Sequence, residues 1–575
     1  MMRMKQIFFL PYGVTGPYNI LCGDTDHDSM NELIFSTYSG RSIWEIWEHS
    51  PFNFNHYNYV FADTGPTYPY PPGIHPGNFG TEDIGDIDRD GLTDLVGPNY
   101  EISNDSTYYI ITTQESPNYN SYPENLSWSY RLSSLGYGYT YYFTNDLDRD
   151  GRNEILTFED CDSFPYFRIV IIENIGNNQN IPVWHQGSNG SGFAFSDFDQ
   201  DSLREFVTAN PGSSGQVYVF ENTGNDQYEK TFTDTVNIPN GTDVFSGNDV
   251  DSDGHPEFFI RFARVGWTFY LYMWETTGNN TYQRTLIDQV SRLRFDPGDM
   301  RSKCGDIDGD GIDEIVWSIA SDVFVYKATG NNQFQVIWHW TYPGPGPSGF
   351  IQSVVNIYDM NRNGYNEIVI SGNDTTRIYE VEAVRVLSPN GGETFHSDSQ
   401  QMIRWQTFNP PRCDSLSIFY SIDYGRTYNL ITHGLSGNDT SYLWTVPNVN
   451  SDSCKVKIIA FGPGWQYDES DGIFGITSTG IEENSTPNVL HLSLRVTPNI
   501  VKSSSTIRYS LPNEGKISLK LHDISGRLVK TLVNEQKKTG NYSITLNTKT
   551  LSAGVYFLSL QTNSKRLIER LVVVK

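Results

Sequence analysis

Long apolar runs are missing from the 575 residues: none approaches the roughly 18 needed for a membrane-spanning helix. Near the start the longest is Ile7–Leu10, ended by Pro11, which is also too short for the apolar core of a secretory signal. Basic residues are scarce, with 40 Lys plus Arg against 68 Asp plus Glu and a net charge of −28. That balance excludes a nucleic-acid backbone or an anionic membrane surface as a partner for the whole chain and favours cations. Catalytic motifs are absent too. The eleven histidines are scattered, and there is no H-E-x-x-H pair, G-x-S-x-G elbow, phosphate-binding G-x-x-x-x-G-K-[ST] loop or C-x-x-C. What is plentiful is turn and strand material: 50 Gly, 28 Pro and 36 Tyr, with 14% aromatics. These favour many short strands, so the chain reads as all-β, and its length calls for three to four domain-sized units.

One nine-residue acidic loop occurs seven times, following D-x-D-x-D-G-x-x-E. Its acids are Asp24, Asp26, Asp28 and Glu32; Asp86, Asp88, Asp90 and Asp94; Asp146, Asp148, Asp150 and Glu154; and Asp197, Asp199, Asp201 and Glu205. The remaining copies are Asp249, Asp251, Asp253 and Glu257; Asp306, Asp308, Asp310 and Glu314; and Asp359, Asn361, Asn363 and Glu367. Side chains at positions 1, 3 and 5 of a tight loop converge on one point, a Gly at 6 permits the sharp turn, and the acid at 9 closes the shell. Hard oxygen donors in that number suit Ca²⁺, with a backbone carbonyl expected from position 7. An EF-hand would place its closing Glu at position 12 between helices. Here β-branched and aromatic residues follow the acid, as in Ile155-Leu156-Thr157 and Ile315-Val316-Trp317, so the loop joins two strands. Up to seven calcium sites are expected. Copies two, three, five and six are the strongest; copies one and four carry Ser29 and Ser202 where Gly is wanted. Copy seven, with its two asparagines, is the weakest.

A second repeat, IENIGNNQN, FENTGNDQY, WETTGNNTY and YKATGNNQF, follows the acidic loops and reads as Gly-Asn hairpin turns. Each unit becomes strand, acidic loop, strand, strand, hairpin, strand. Four antiparallel strands repeated seven times predict a seven-bladed β-propeller over residues 1–383. The seventh unit has no hairpin and no fourth strand of its own, and residues 5–10 are expected to supply it.

These loops resemble the FG-GAP or VCBS repeats of integrin α-like calcium propellers, a resemblance covering about residues 4–383. It implies fold and metal but not function, because such propellers serve adhesion, sugar binding and polysaccharide cleavage. Strand parity puts acidic loops and hairpins on one face and the Gly/Pro/Tyr-rich connections on the other. Tyr68, Tyr70, His75, Tyr137 and Tyr139 on those connections are the candidate ligand-stacking residues. Residues 384–477, with Trp405 and Trp444, predict a β-sandwich of immunoglobulin or fibronectin type III kind and resemble spacer modules opening with P-N-G-G-E, here Pro389–Glu393. Cys413 and Cys454 each open a strand there and form a candidate disulfide, whereas Cys22 and Cys304 are expected as separate buried thiols. A polar linker is expected over 478–488. From Thr486 on the charge reverses to +10, with 9 Lys and 5 Arg against 1 Asp and 3 Glu. Residues 489–575 predict a second sandwich and resemble the C-terminal sorting domains of the type IX secretion system, through Tyr509–Pro512, Gly526-Arg527 and Gly554–Phe557.

The combined expectation is a calcium-stabilised protein of the extracellular space or outer cell surface, binding a glycan or protein ligand and engaging secretion machinery through its last domain. A secreted polysaccharide lyase, with His75 or Tyr137 as base, and a structural surface-layer component are the alternatives.

Overall fold

The computed structural model describes residues 2–573 except 11–19, 39–41, 51–56, 65–72, 77–82, 104–105, 119–120, 124, 132–140, 161–166, 188–189, 211, 213, 240, 265–267, 292–300, 320–321, 343–353, 373–374, 479–491, 498–499, 502–503, 524–526, 550, 553 and 563–564. Among the described residues every regular element is a strand. The chain divides into two compact units, Met1–Ser478 and Thr479–Lys575.

Seven small antiparallel sheets come first, each spanning one acidic loop. The fourth is typical, running Ser191–Ser196, Glu205–Ala209, Gln216–Gly224 and Gln227–Thr235 in chain order. Its second strand is buried at every position, and so are Glu314–Ile319 and Glu367–Gly372 in the sixth and seventh sheets. Strands covered on both faces read as continuous apolar runs rather than alternations. The outermost strand, by contrast, is exposed or half-buried at every position except Tyr228.

The covering comes from the neighbouring sheets. Val207 of the fourth packs with Phe258 and Ile260 of the fifth. Phe259 packs with Ile315 and Trp317 of the sixth, and Val316 with Val355 and Ile368 of the seventh. Val354 and Val369 of the seventh then share a core with Ile20 and Leu33 of the first. The seventh sheet is itself composite. Val354–Tyr358, Glu367–Gly372 and Thr375–Val381 are joined by Met4–Leu10, which pairs antiparallel with the last of these, Met4 opposite Val381 and Leu10 opposite Thr376. A cavity of about 180 Å³ is lined by the strand leading into the acidic loop in every sheet, from Ile20 and Asp83 through Tyr142, Ala194, Asp243 and Lys303 to Asn356.

Residues 384–477 lie in the same compact unit and form two sheets facing each other across a core. Val386, Ile403, Trp405 and Trp444 come from one sheet, and Leu416, Ile418, Val456, Ile458 and Phe474 from the other. The turn between Ser451–Phe461 and Trp465–Glu469 rests on the seventh acidic loop, where the Trp465 N–H donates to the Asn363 carbonyl at 2.8 Å. Both segments need glycine at this crossing: a Cβ on Gly364 would stand 2.9 Å from the Gly464 Cα.

The candidate disulfide is corrected: Cys413 and Cys454 are free thiols. The reason is ladder direction. Ser415 pairs with Phe461 and Ser421 with Lys455, so Cys413 lies beyond one end of this antiparallel ladder and Cys454 beyond the other. A strand of that length separates them by about 20 Å, well beyond the reach of a disulfide. Cys22 and Cys304 are also free.

In the second unit, Ser493–Thr497, Ser504–Leu511 and Gly540–Asn547 form one sheet; Ile500–Val501, Arg566–Val573, Gly554–Gln561, Gly515–Asp523 and Leu528–Lys537 form the other. Leu494, Ile507, Leu519, Leu521, Leu558 and Leu560 fill the core between them. The expected linker 478–488 falls, after Ser478, outside the described residues.

Candidate metal centres

Each acidic loop is held by its own backbone amides. The N–H of position 6 donates to the position 1 carboxylate in all seven, from Ser29 to Asp24 (3.1 Å) through Gly254 to Asp249 (2.8 Å) to Gly364 on Asp359 (2.9 Å). The N–H of position 7 donates to position 5, as Leu92 does to Asp90 at 2.9 Å. Position 6 has positive φ throughout, including Ser29 (75°) and Ser202 (81°), which therefore carry the backbone strain the glycines avoid.

The ninth residue uses one oxygen to pin the loop and leaves the other free. Its first oxygen accepts from the N–H of position 2: Glu154 from Leu147 at 2.7 Å, Glu257 from Val250 at 3.0 Å, Asp94 from Ile87 at 3.0 Å. Its second oxygen is buried without a hydrogen-bond partner in Glu32, Asp94, Glu154, Glu205, Glu257 and Glu367. Position 1 adds further partnerless buried oxygens at Asp24, Asp146 and Asp197. In loops one, three, four and five, one oxygen from each of the four acids lies within 4.8 Å of all the others; in loop two, Asp86, Asp88 and Asp90 converge in the same way. Burial raises Glu32, Glu205 and Glu257 to about 9, and Asp94 and Glu154 to about 8, with the neighbouring aspartates adding to it. Buried, partnerless, convergent carboxylate oxygens at this density are what a hard divalent cation satisfies, so the residues fit calcium.

Sequence reasoning missed a fifth acid. The third strand of each sheet places a residue directly across from position 9: Glu48 opposite Glu32, Glu115 opposite Asp94, Glu173 opposite Glu154, Glu221 opposite Glu205 and Glu275 opposite Glu257. Glu115, Glu221 and Glu275 receive the Gly-Asn hairpin of the following sheet, whereas Glu48 accepts from the Tyr122 hydroxyl and Glu173 from Arg152. The Asn280 side-chain amide donates to Glu221 at 2.5 Å while its backbone N–H donates to Asp199 at 2.6 Å. Asn332 repeats the arrangement on Glu275 (2.7 Å) and Asp251 (2.5 Å), and Asn178 on Glu115 (3.1 Å) and Asp88 (2.7 Å). Hairpins and acidic loops therefore share one face. The signal was present in the quoted repeat, where E, E, E and K stand at one offset before the Gly-Asn pair.

Two loops depart from the pattern. In loop seven, Asn361 and Asn363 turn their amides onto Glu380, the cross-strand residue there. In loop six the cross-strand position holds Lys327, whose Nζ lies 2.7 Å from Asp308, 2.8 Å from Asp310 and 2.6 Å from Glu314. The Glu314 oxygen it binds corresponds to the oxygen left partnerless elsewhere, so the ranking of copy six among the strongest metal sites did not anticipate this contact.

Successive loops are also tied to one another. Arg89 donates to the Gly151 carbonyl (2.6 Å) and Asn153 (2.7 Å), Gln200 to the Gly254 carbonyl (2.7 Å), and Arg362 of loop seven to Asp24 of loop one (2.7 Å).

Tyr68, Tyr70, Tyr137 and Tyr139 lie outside the described residues, and His75 sits on the strand Gly73–Pro76, opposite Tyr100.

With this geometry in hand, two family matches fall on separate parts of the chain. Residues 306–370, holding loops six and seven, match the FG-GAP-like repeat. Residues 495–574 match the secretion system C-terminal sorting domain. The protein is secreted or displayed at the outer cell surface. No curated protein matches the chain. Among solved structures, the fibronectin(III)-like modules of Clostridium thermocellum CbhA are 13% identical, covering 33% of this chain and 93% of theirs at a TM-score of 0.13. The FN1–FN3 domains of chicken CNTN1 are 10% identical, covering 45% and 97% at a TM-score of 0.14. Among the described residues no helix is long and apolar enough to cross a membrane.

Proposed function

We propose that the seven sheets close into a seven-bladed β-propeller whose acidic loops bind calcium, forming a recognition module for a glycan or protein ligand outside the cell. The sorting domain directs its export or anchoring. Closure is supported by the apolar core shared between the seventh and first sheets and by the strand Met4–Leu10 completing the seventh. The observation that carries the calcium reading is the buried partnerless oxygen on the ninth residue of six loops. Calcium supplies charge neutralisation there. The chain's own residues hold the loop through backbone amides, orient the ninth carboxylate, and cap the site with the next hairpin.

The absence of a catalytic motif favours binding over cleavage. In the testing experiment, the metal-stripped full chain is titrated with calcium by calorimetry. It is then applied in calcium to immobilised polysaccharides, scoring retention and new chain ends. Calcium uptake with retention and intact glycan is the expected result; new chain ends would replace recognition with lyase activity, and no calcium uptake would remove the metal reading.

A further inference from the structure

We propose that loop six never takes a metal: the Lys327 ammonium is its resident cation, and this loop stays ordered when calcium leaves the others. The inference rests on the calcium reading of the remaining loops and goes beyond it.

Three observations converge. The first is occupancy. Lys327 Nζ stands 2.6–2.8 Å from oxygens of Asp308, Asp310 and Glu314, positions 3, 5 and 9 of the loop. Calcium would need oxygens at about 2.3–2.6 Å around nearly the same point, so the ammonium and the ion exclude each other by contact and by charge. Only Asp308 Oδ1 remains buried without a partner in this loop. The second is register. Ile315 pairs with Tyr326, which sets Lys327 across from Glu314, where five other sheets carry glutamate across from the ninth acid. One exchange of Glu for Lys thus removes a negative charge from the site's border and adds a positive one at its centre. Arg152 in loop three shows that a nearby cation alone is not enough. It pairs with Glu173 at 2.5 Å, yet Glu154 Oε1 and Asp146 Oδ1 stay partnerless.

The third observation is topological. Loops two to five are each capped by the Gly-Asn hairpin of the following sheet: Asn178 on loop two, Asp226 on loop three, Asn280 on loop four and Asn332 on loop five. The seventh sheet cannot offer such a hairpin, because its outer strand is Met4–Leu10 rather than a continuation of Thr375–Val381. Loop six therefore has no incoming amide for Asp308, and Lys327 supplies the donor instead. Tyr365 of loop seven closes the same side, since a Cβ on Gly309 would stand 2.5 Å from its ring and 3.3 Å from Pro463. A tethered cation is not lost on dilution or to a chelator, and it sits in the sheet next to the one completed by a distant strand.

The test uses the full chain. Crystals grown in calcium, measured at a wavelength where calcium scatters anomalously, should show peaks in loops one to five and none in loop six. Hydrogen exchange of residues 306–319 should change less than twofold on stripping the metal, whereas residues 249–263 should exchange at least tenfold faster. Lys327→Glu restores the acid found in the other sheets and should add one calcium per chain. A calcium peak in loop six of the native protein, or a tenfold acceleration of 306–319, would overturn the proposal. So would a folded Lys327→Glu that gains no ion; if that variant does not fold, the native crystal and exchange data decide. Absence of calcium from every loop would instead strike the calcium reading itself, and this inference with it.

Discussion

Arg362 donates its guanidinium to Asp24 at 2.7 Å and to Asn31 at 3.1 Å, joining the last acidic loop to the first across more than 330 residues. Asn31, buried, returns its amide to the Asp359 carbonyl at 2.7 Å. The two partners are unequal. Arg362→Ala removes an ion pair whose arginine is 45% exposed and should cost at most about 1 kcal/mol. Asn31→Ala loses a buried amide and leaves a half-buried carbonyl without its donor, and should cost about 1–3 kcal/mol. Urea melts of the two variants will separate them; equal losses would mean that the seam is not held as described.

Removal of one ninth acid should remove one ion. Glu257→Gln keeps the size of the side chain but not its charge, and should lower calcium stoichiometry by one. At one hundred times the dissociation constant, the lost site corresponds to about 2.7 kcal/mol of stability. Calorimetric titration beside a thermal melt checks both numbers.

In the metal-free protein, stability should fall as pH rises. The ninth acids have folded-state values raised to about 8–9 by burial, above their ordinary range near 4.5. A raised acid contributes its full stabilisation below the unfolded value, and that contribution is lost as pH climbs through the folded one. Metal-stripped protein should therefore melt lower at pH 9 than at pH 6. Saturating calcium, which binds the ionised form, should abolish or reverse the trend. A metal-free melt that rises between those pH values would contradict the burial of these groups.

Ser29 and Ser202 occupy position 6 at φ of 75° and 81°. Replacing either with glycine should relieve about 1 kcal/mol of left-handed strain and raise the melting temperature without changing the ion count.

Cys413 and Cys454 should both alkylate when the oxidised protein is denatured without reductant, read by mass spectrometry of their peptides. A disulfide-linked peptide pair would contradict the strand register.

The array was legible in the sequence because its ligands are local: positions 1, 3, 5, 6 and 9 lie within one loop, where spacing alone places them. The glutamates at 48, 115, 173, 221 and 275, and Lys327, were not, although Glu173, Glu221, Glu275 and Lys327 stand at a constant offset in the quoted repeat. Their role depends on which residue of the third strand faces position 9, and that register emerges only once the ladder is built. Cys413 and Cys454 failed for a related reason. Both stand near strand beginnings, which look equivalent in a sequence and lie at opposite ends of an antiparallel pair.

The pairing of Leu10 with Thr376 also sets a clock. A ribosome adding about 5–20 residues per second needs roughly 20–70 s to make the second partner after the first. Until then Met4–Leu10 has no sheet to join, and the seventh sheet cannot form while the chain is growing through the other six. Completion of the seventh sheet is thus deferred to a late moment in the life of the polypeptide.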